Sequence, residues 1–268
     1  MKIAITGAFS YTGKYITRRL LAQGHEVITL TGHPNNPDPF DGQVKAHPFN
    51  FDAPEKLAET LAGAEQAGVR RIVHTSITQP TLDSDLPYFR GKAELEEAIK
   101  ASSLGYAILR PTVLYGDEDI LVNNIAWILR NVRVFGLLGN GQYRLQPIFV
   151  EDYADLAVEM ALREENILAD AVGSDDLTFE EMVRLIAAEM GISALLLKMP
   201  PKLALWASQI IGLFVGDVVL TQDEVDGLMR GSLISNDPPL AKTHLKDWLR
   251  ENKDSVGKKY ASELKKHY

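Results

Sequence analysis

Met1-Lys2-Ile3-Ala4-Ile5-Thr6-Gly7-Ala8-Phe9-Ser10-Tyr11-Thr12-Gly13 opens the chain and decides its fold class. Residues 1–6 form an apolar run of strand length. Two glycines six residues apart follow, and then a helical pattern with Tyr15, Ile16, Leu20 and Leu21 on one face and Arg18 and Arg19 on the other. Strand, glycine-bounded turn and helix in that order make the start of a dinucleotide-binding unit. Gly7 lets the chain turn sharply off the strand, and Gly13 lets helix and strand approach closely. The first-turn N–H groups between them face a pyrophosphate, whose charge the helix dipole favours. The middle glycine of the usual spacing is replaced by Ser10.

Working outward, strand and helix signals alternate. His25–Leu30, Val44–Phe51, Arg70–Thr75 and Tyr106–Leu109 read as strands, and a helix runs from about Tyr88 to Lys100. Asp52, Pro54 and Glu55 have the pattern of a capping box with proline in the first turn, so a helix starts there and continues through Leu57, Leu61 and Ala64. Strands alternating with helices imply an α/β fold, a Rossmann-like, doubly wound parallel sheet. From Glu151 the pattern changes. Asp152–Leu162 and Thr178–Met190 read as amphipathic helices, Met199–Leu220 is apolar, and Leu245–Tyr268 is polar and lysine-rich. The expected division is a dinucleotide-binding domain over 1–150 and a small, mostly helical C-terminal lobe over 151–268. Leu203–Val215 is too short for a membrane span and reads as a buried or interface helix. Lys258, Lys259, Lys265 and Lys266 are expected to solvate a C-terminal helix.

Composition narrows the function classes. The 268 residues carry 28 Lys plus Arg against 36 Asp plus Glu, a net charge of −8, which argues against a nucleic-acid partner. With no cysteine, disulfides, thiolate catalysis and cysteine-bound metals are excluded. The histidines are scattered without ligand spacing, so no metal site is expected. No signal core follows the N-terminus, and a cytoplasmic location is the expectation.

Tyr88-Phe89-Arg90-Gly91-Lys92 puts a phenol and an ammonium at i and i+4 on one helix face. A free phenol titrates near 10 and is a poor acid or base at neutral pH. A neighbouring cation stabilises the phenolate and lowers that value. Such a pair can exchange a proton with an alcohol or carbonyl while hydride moves to or from a nicotinamide. Ser76, closing the preceding strand, could hold the same substrate oxygen.

These stretches resemble the short-chain dehydrogenase/reductase superfamily in its extended or atypical branch, the nucleoside-diphosphate-sugar epimerase/dehydratase-like proteins. Thr6–Gly13 is similar to the family's glycine loop apart from Ser10. His74–Ser76 matches its strand-ending serine, and Pro87–Lys92 its Y-x-x-x-K. Arg110–Gly116 and Phe149–Asp155 match two later motifs. Gly116–Ala126 resembles, more narrowly, the nucleotide-binding accessory subunit of respiratory complex I and its bacterial relatives. The resemblance implies that Tyr88 donates or accepts the proton, with Lys92 lowering its pKa and holding the nicotinamide ribose. Ser76 would orient substrate, with Pro111 and Thr112 beside the nicotinamide. Gly7, Ser10, Tyr11, Thr12 and Gly13 would hold the pyrophosphate, and Asn50 would stand at the adenine-contacting position.

The chain departs from the family in three places. The second strand ends in Thr31-Gly32-His33, with neither an acid for a ribose 2′-hydroxyl nor an arginine for a 2′-phosphate. NAD and NADP are therefore both open, with His33 a candidate 2′-phosphate contact. Only eleven residues separate Ser76 from Tyr88. Between Asp52 and Gly68 there is room for a single helix of roughly 25 Å, where the family has helix, strand and helix. One βα unit is thus missing after residue 64. Because a strand-wide gap would bury unpaired backbone groups, the strand at Arg71–His74 is expected to pair directly with Ile3–Thr6. Two functions are expected from this. One is an NAD(P)-dependent oxidoreductase, epimerase or dehydratase acting on a small alcohol, carbonyl or sugar nucleotide. The alternative is a non-catalytic NAD(P)H-binding structural or redox-sensing subunit. A third outcome is that loss of the βα unit has destroyed cofactor binding. Partner expectations are a small-molecule substrate, and either a homodimer or docking onto a larger complex, peripheral to a membrane, through the apolar 203–215 segment.

Overall fold

A computed structural model describes residues 1–49, 54–217 and 222–262. The elements, in chain order, are β1 (Lys2–Thr6), α1 (Tyr11–Ala22), β2 (Glu26–Thr31), β3 (Lys45–Pro48), α2 (Pro54–Gln66), β4 (Arg71–Thr75), α3 (Pro87–Ala101) and β5 (Gly105–Pro111). They continue with β6 (Leu114–Tyr115), α4 (Leu121–Asn131), β7 (Val134–Leu138), β8 (Arg144–Leu145), β9 (Ile148–Phe149), α5 (Val150–Leu162) and β10 (Ile167–Ala171). The last are β11 (Leu177–Thr178), α6 (Phe179–Glu189), β12 (Leu195–Met199), α7 (Pro201–Val215), α8 (Gln222–Met229) and α9 (Leu245–Asn252). Asn50 and Asp52 lie outside the described residues, and with them the proposed adenine contact and the cap of α2.

Two compact units divide the chain. The first comprises Met1–Pro111 and Val150–Ala171, and the second Thr112–Phe149 and Val172–Tyr268. The boundary differs from a single cut at residue 150. Ile167–Ala171, read as part of the later lobe, is a sheet strand in register with Ala107–Pro111 of β5, and backbone pairing draws it back into the first unit.

The first unit is built on six parallel strands in the order β10-β5-β4-β1-β2-β3. The order reverses at β1, as a doubly wound sheet requires. β4 lies directly against β1, with Ile3 opposite Arg71, Ala4 opposite Ile72 and Ile5 opposite Val73. The pairing expected from the missing βα unit is therefore present, and no slot is left in the sheet. Ala4, Ile28, Leu30, Ile72 and Ile108 face one side, covered by Leu57, Leu61 and Ala64 of α2 and by Leu95 and Ile99 of α3. Strand alternation turns Ile3 and Ile5 to the other side, where α1 and α5 pack. Arg19 of α1 joins those two helices by ion pairs to Glu151 and Asp155.

The second unit packs α4, α6 and α9 around Val122, Ile125, Leu129, Met182, Ile186 and Trp248. It also carries, among the described residues, three two-stranded sheets, β6–β9, β7–β12 and β8–β11, of whose strands only β11 and β12 fall in the 151–268 lobe expected to be mostly helical. β6, β8, β9 and β11 are two residues long, too short to stand out from loops. Helix α6 starts with a reciprocal capping box between Thr178 and Glu181. Helix α9 ends at Asn252, so Lys258 and Lys259 follow it rather than solvate it, and Lys265 and Lys266 lie outside the described residues. Among the described residues no helix is long and apolar enough to cross a membrane.

Candidate functional site

The glycine loop has the backbone its sequence demands. Gly7 sits at φ +69°, a left-handed conformation that side chains resist. Its N–H donates to the Leu30 carbonyl at 2.9 Å, while the Ala8 N–H donates to Thr29 Oγ1 at 2.8 Å. A Cβ on Gly13 would meet the Gly7 carbonyl oxygen at 2.0 Å, so only glycine allows α1 this close to β1. Ser10 takes over the role of helix cap. Its hydroxyl accepts the Gly13 N–H at 3.3 Å and donates to the Gly7 carbonyl at 2.7 Å. The side chain in place of the middle glycine thus closes the loop on itself and caps the first turn of α1.

The second group of residues hangs from β4 and α3, one strand away. Lys92 lies over the Tyr88 ring, its Nζ 5.7 Å from the ring centroid, and donates to the Thr75 carbonyl at 2.9 Å. Burial lowers the Lys92 ammonium to about 8, against an opposing pull from Glu96. Tyr88 is 60% exposed as a residue, and desolvation of its hydroxyl pushes the phenol up from its ordinary value. Ser76 points elsewhere. It is 2% exposed, and its hydroxyl donates to Glu96 Oε1 at 2.5 Å. Glu96 is itself buried and receives both Arg110 Nε, at 2.8 Å, and Arg110 Nη2.

Three residues of this network had not been singled out. Glu96 extends the Tyr88–Lys92 spacing by one further turn of α3, and that i, i+4, i+8 series was the signal available in the sequence. His74 is buried beside Thr6, with Nδ1 2.9 Å from Thr6 Oγ1 and Nε2 without a hydrogen-bond partner. Burial, and then the Lys92 charge, holds its pKa well below the ordinary value. Tyr153 of α5 donates to the Thr75 hydroxyl at 2.9 Å. Its hydroxyl gives no sign in sequence, because only the return of α5 to this sheet brings it to β4.

The remaining candidates are dispersed. His33 is exposed, and its backbone N–H is held by Thr31 Oγ1 at 3.1 Å. Pro111 ends β5, its carbonyl accepting the Thr78 N–H at 3.3 Å. Thr112 begins the second unit, and its hydroxyl donates to the Gln146 carbonyl. Among the described residues no group of three or more His, Asp or Glu is arranged to hold a metal ion.

The geometry up to this point is that of a doubly wound α/β unit with a glycine loop, and solved structures share its fold. The Citrobacter sp. triphenylmethane reductase covers 94% of this chain and 99% of its own at a TM-score of 0.71 and 17% identity. The NADPH-dependent quinone oxidoreductase of Escherichia coli, solved with NADPH, gives 93%, 99%, 0.71 and 18%. The fold is that of the NAD(P)-dependent reductases and epimerases.

Curated sequences agree with the narrower resemblance as well. Subunit 9 of the NADH dehydrogenase 1 alpha subcomplex of Arabidopsis thaliana is 28% identical over 151 residues, 55% of this chain and 35% of that protein. The NADH-ubiquinone oxidoreductase 40 kDa subunit of Neurospora crassa is 23% identical over 198 residues, 72% of this chain and 50% of its own. The chain thus spans half or less of the length of these two relatives. A ceramide reductase of Caulobacter vibrioides is 26% identical over 247 residues, covering 78% of this chain and 77% of the reductase. No family profile matches the chain.

Proposed function

We propose that this chain binds an NAD(P)-type nucleotide at the Gly7–Gly13 loop and serves as a non-catalytic, nucleotide-holding subunit. The observation that carries the reading is the commitment of Ser76. A hydroxyl donated to a buried carboxylate, itself paired with Arg110, is not available to orient a substrate oxygen. The loop residues Gly7, Ser10, Tyr11, Thr12 and Gly13 would hold the diphosphate, while His33 would meet a 2′-phosphate if NADP is the ligand. The two complex I relatives support a subunit role. Leu203 and Trp206 of α7, 48% and 58% exposed, are the candidate contacts with a larger, peripheral assembly. Calorimetric titration of NADH and of NADPH tests the reading. Saturable binding of either, with no oxidation in the presence of a panel of aldehydes and ketones, is the expected result. Absence of binding by both would remove it.

A reductase is the second reading, favoured by the placement of the Lys92 ammonium over the Tyr88 ring and by the coverage of the ceramide reductase. In that case a bound NAD(P)H would supply hydride chemistry, Tyr88 would give the proton to the carbonyl oxygen of a small or lipid-like substrate, and Lys92 would stabilise the phenolate that remains. Tyr88→Phe then abolishes turnover while leaving nucleotide affinity nearly unchanged, because a proton is lost and little contact area. Steady-state rates and binding isotherms on the same preparation check it. Turnover that survives Tyr88→Phe excludes the phenol as the proton donor.

A further inference from the structure

We infer that the site reads only the ADP half of its nucleotide, and that Lys92 is a diphosphate ligand rather than a nicotinamide-ribose ligand. The inference rests on the nucleotide-binding reading above and narrows its ligand class to ADP-containing molecules whatever their second half.

The argument starts from the sheet. In a doubly wound fold the diphosphate crosses outside the carboxyl ends of the strands where their order reverses, with one mononucleotide half on each side. Here the reversal lies between β1 and β4. On one side β1, β2 and β3 keep the arrangement of an adenosine-binding half, with the glycine loop intact. On the other side the proton-transfer candidates are carried by β4 and α3, the strand next to β1 and the helix after it. The Thr6–His74 side-chain contact at 2.9 Å holds the two strand ends level. Thr75, whose carbonyl accepts from Lys92, is therefore about one strand spacing, ~4.8 Å, from the start of the phosphate loop. A nicotinamide is separated from the diphosphate by a whole ribose. Lys92 stands at the level of the diphosphate.

Chemistry points the same way. One Lys92 N–H bond goes to the Thr75 carbonyl, which fixes the ammonium and leaves donors for phosphate oxygens. Ser76 is taken up by Glu96. At the end of β2, Thr31-Gly32-His33 offers no carboxylate to repel a phosphate or to select a ribose hydroxyl. What the first unit presents to a dinucleotide is a loop and a cation for the phosphates, with the Ser76 hydroxyl already taken by Glu96.

Competition calorimetry on the full chain with ADP, ADP-ribose, NADH and NADPH decides it, with Lys92→Met as the second arm. ADP and ADP-ribose should bind within about threefold of NADH, and Lys92→Met should weaken all of them alike, by about tenfold. NADH or NADPH binding tenfold or more tighter than ADP-ribose would overturn the inference while leaving the nucleotide-binding reading intact. So would a Lys92→Met effect confined to the dinucleotides. If none of the four ligands binds wild-type protein, the reading and the inference fall together. Because the ligand series uses the unmodified chain, poor folding of the variant would not obscure the result.

Discussion

Glu96 and His74 are the residues whose surroundings make the sharpest demands. Glu96, 1% exposed, holds Arg110 and Ser76 at once, and removing it takes away the carboxylate that the half-buried guanidinium hydrogen-bonds, leaving only the more distant charges of Asp170 and Glu97. Glu96→Ala should cost about 3 kcal/mol of stability, read from urea unfolding, because breaking one side of a buried pair strands the other. A loss under about 1 kcal/mol would mean that water reaches Arg110. His74 is neutral in the fold, since burial and Lys92 oppose its protonation, whereas the unfolded chain takes up that proton below about 6.5. The unfolded state then binds the extra proton. Stability is thus unaffected by His74 above pH 6.5 and falls as pH drops below it, by up to about 1.4 kcal/mol per pH unit. Unfolding free energies of wild type and His74→Gln at pH 7.5, 6 and 5 compare the slopes. Equal slopes in the two proteins would clear the histidine of the effect.

At the scale of elements, the strand–helix seam at β1 and α1 sets what the loop can be. Gly13 and Gly63 are both helical glycines, yet a Cβ at Gly13 would strike the Gly7 carbonyl while one at Gly63 meets nothing within 4 Å. Gly13→Ala should therefore destabilise by about 1–3 kcal/mol or more and reduce nucleotide affinity, as overpacking forces α1 away from the loop. Gly63→Ala should be neutral or stabilise by about 0.5–1 kcal/mol, through helix propensity alone. Thermal unfolding of the two variants side by side measures the contrast, and similar losses in both would show that helix α1 is free to shift. The β1–β4 pairing belongs to this scale too. It follows from the length of a single crossover helix and from the need of every buried amide for a partner.

For the whole molecule the open question is association. The chain carries a net charge of −8 and an apolar α7 whose Leu203 and Trp206 face solvent. An exposed aromatic next to an exposed leucine on an apolar helix is where a docking contact is tested first. If that helix docks onto a larger assembly, Trp206→Glu should lower co-sedimentation of the chain with membranes of its source cells by tenfold or so. Titrated with ADP or NADH, the same variant should match wild type, because the glycine loop belongs to the other compact unit. Undiminished co-sedimentation would place the contact elsewhere or abolish the docking reading.

The first thirteen residues, the strand and helix periods and the short span from Asp52 to Gly68 determined by themselves an α/β sheet, its glycine turn and the direct contact of β4 with β1. Those features depend on local backbone geometry and on chain length, which one sequence carries in full. The partners of Ser76, the neutral state of His74, the arrival of Tyr153 at Thr75 and the return of β10 to the sheet were decided only by the tertiary structure. Each joins residues separated by at least twenty positions, or depends on burial that no local pattern encodes. A serine at a strand end has the same sequence signature whether it faces a cleft or a buried carboxylate. Only the packing of α3 on the sheet turned this one toward Glu96 and set the lysine of the pair on the Thr75 carbonyl.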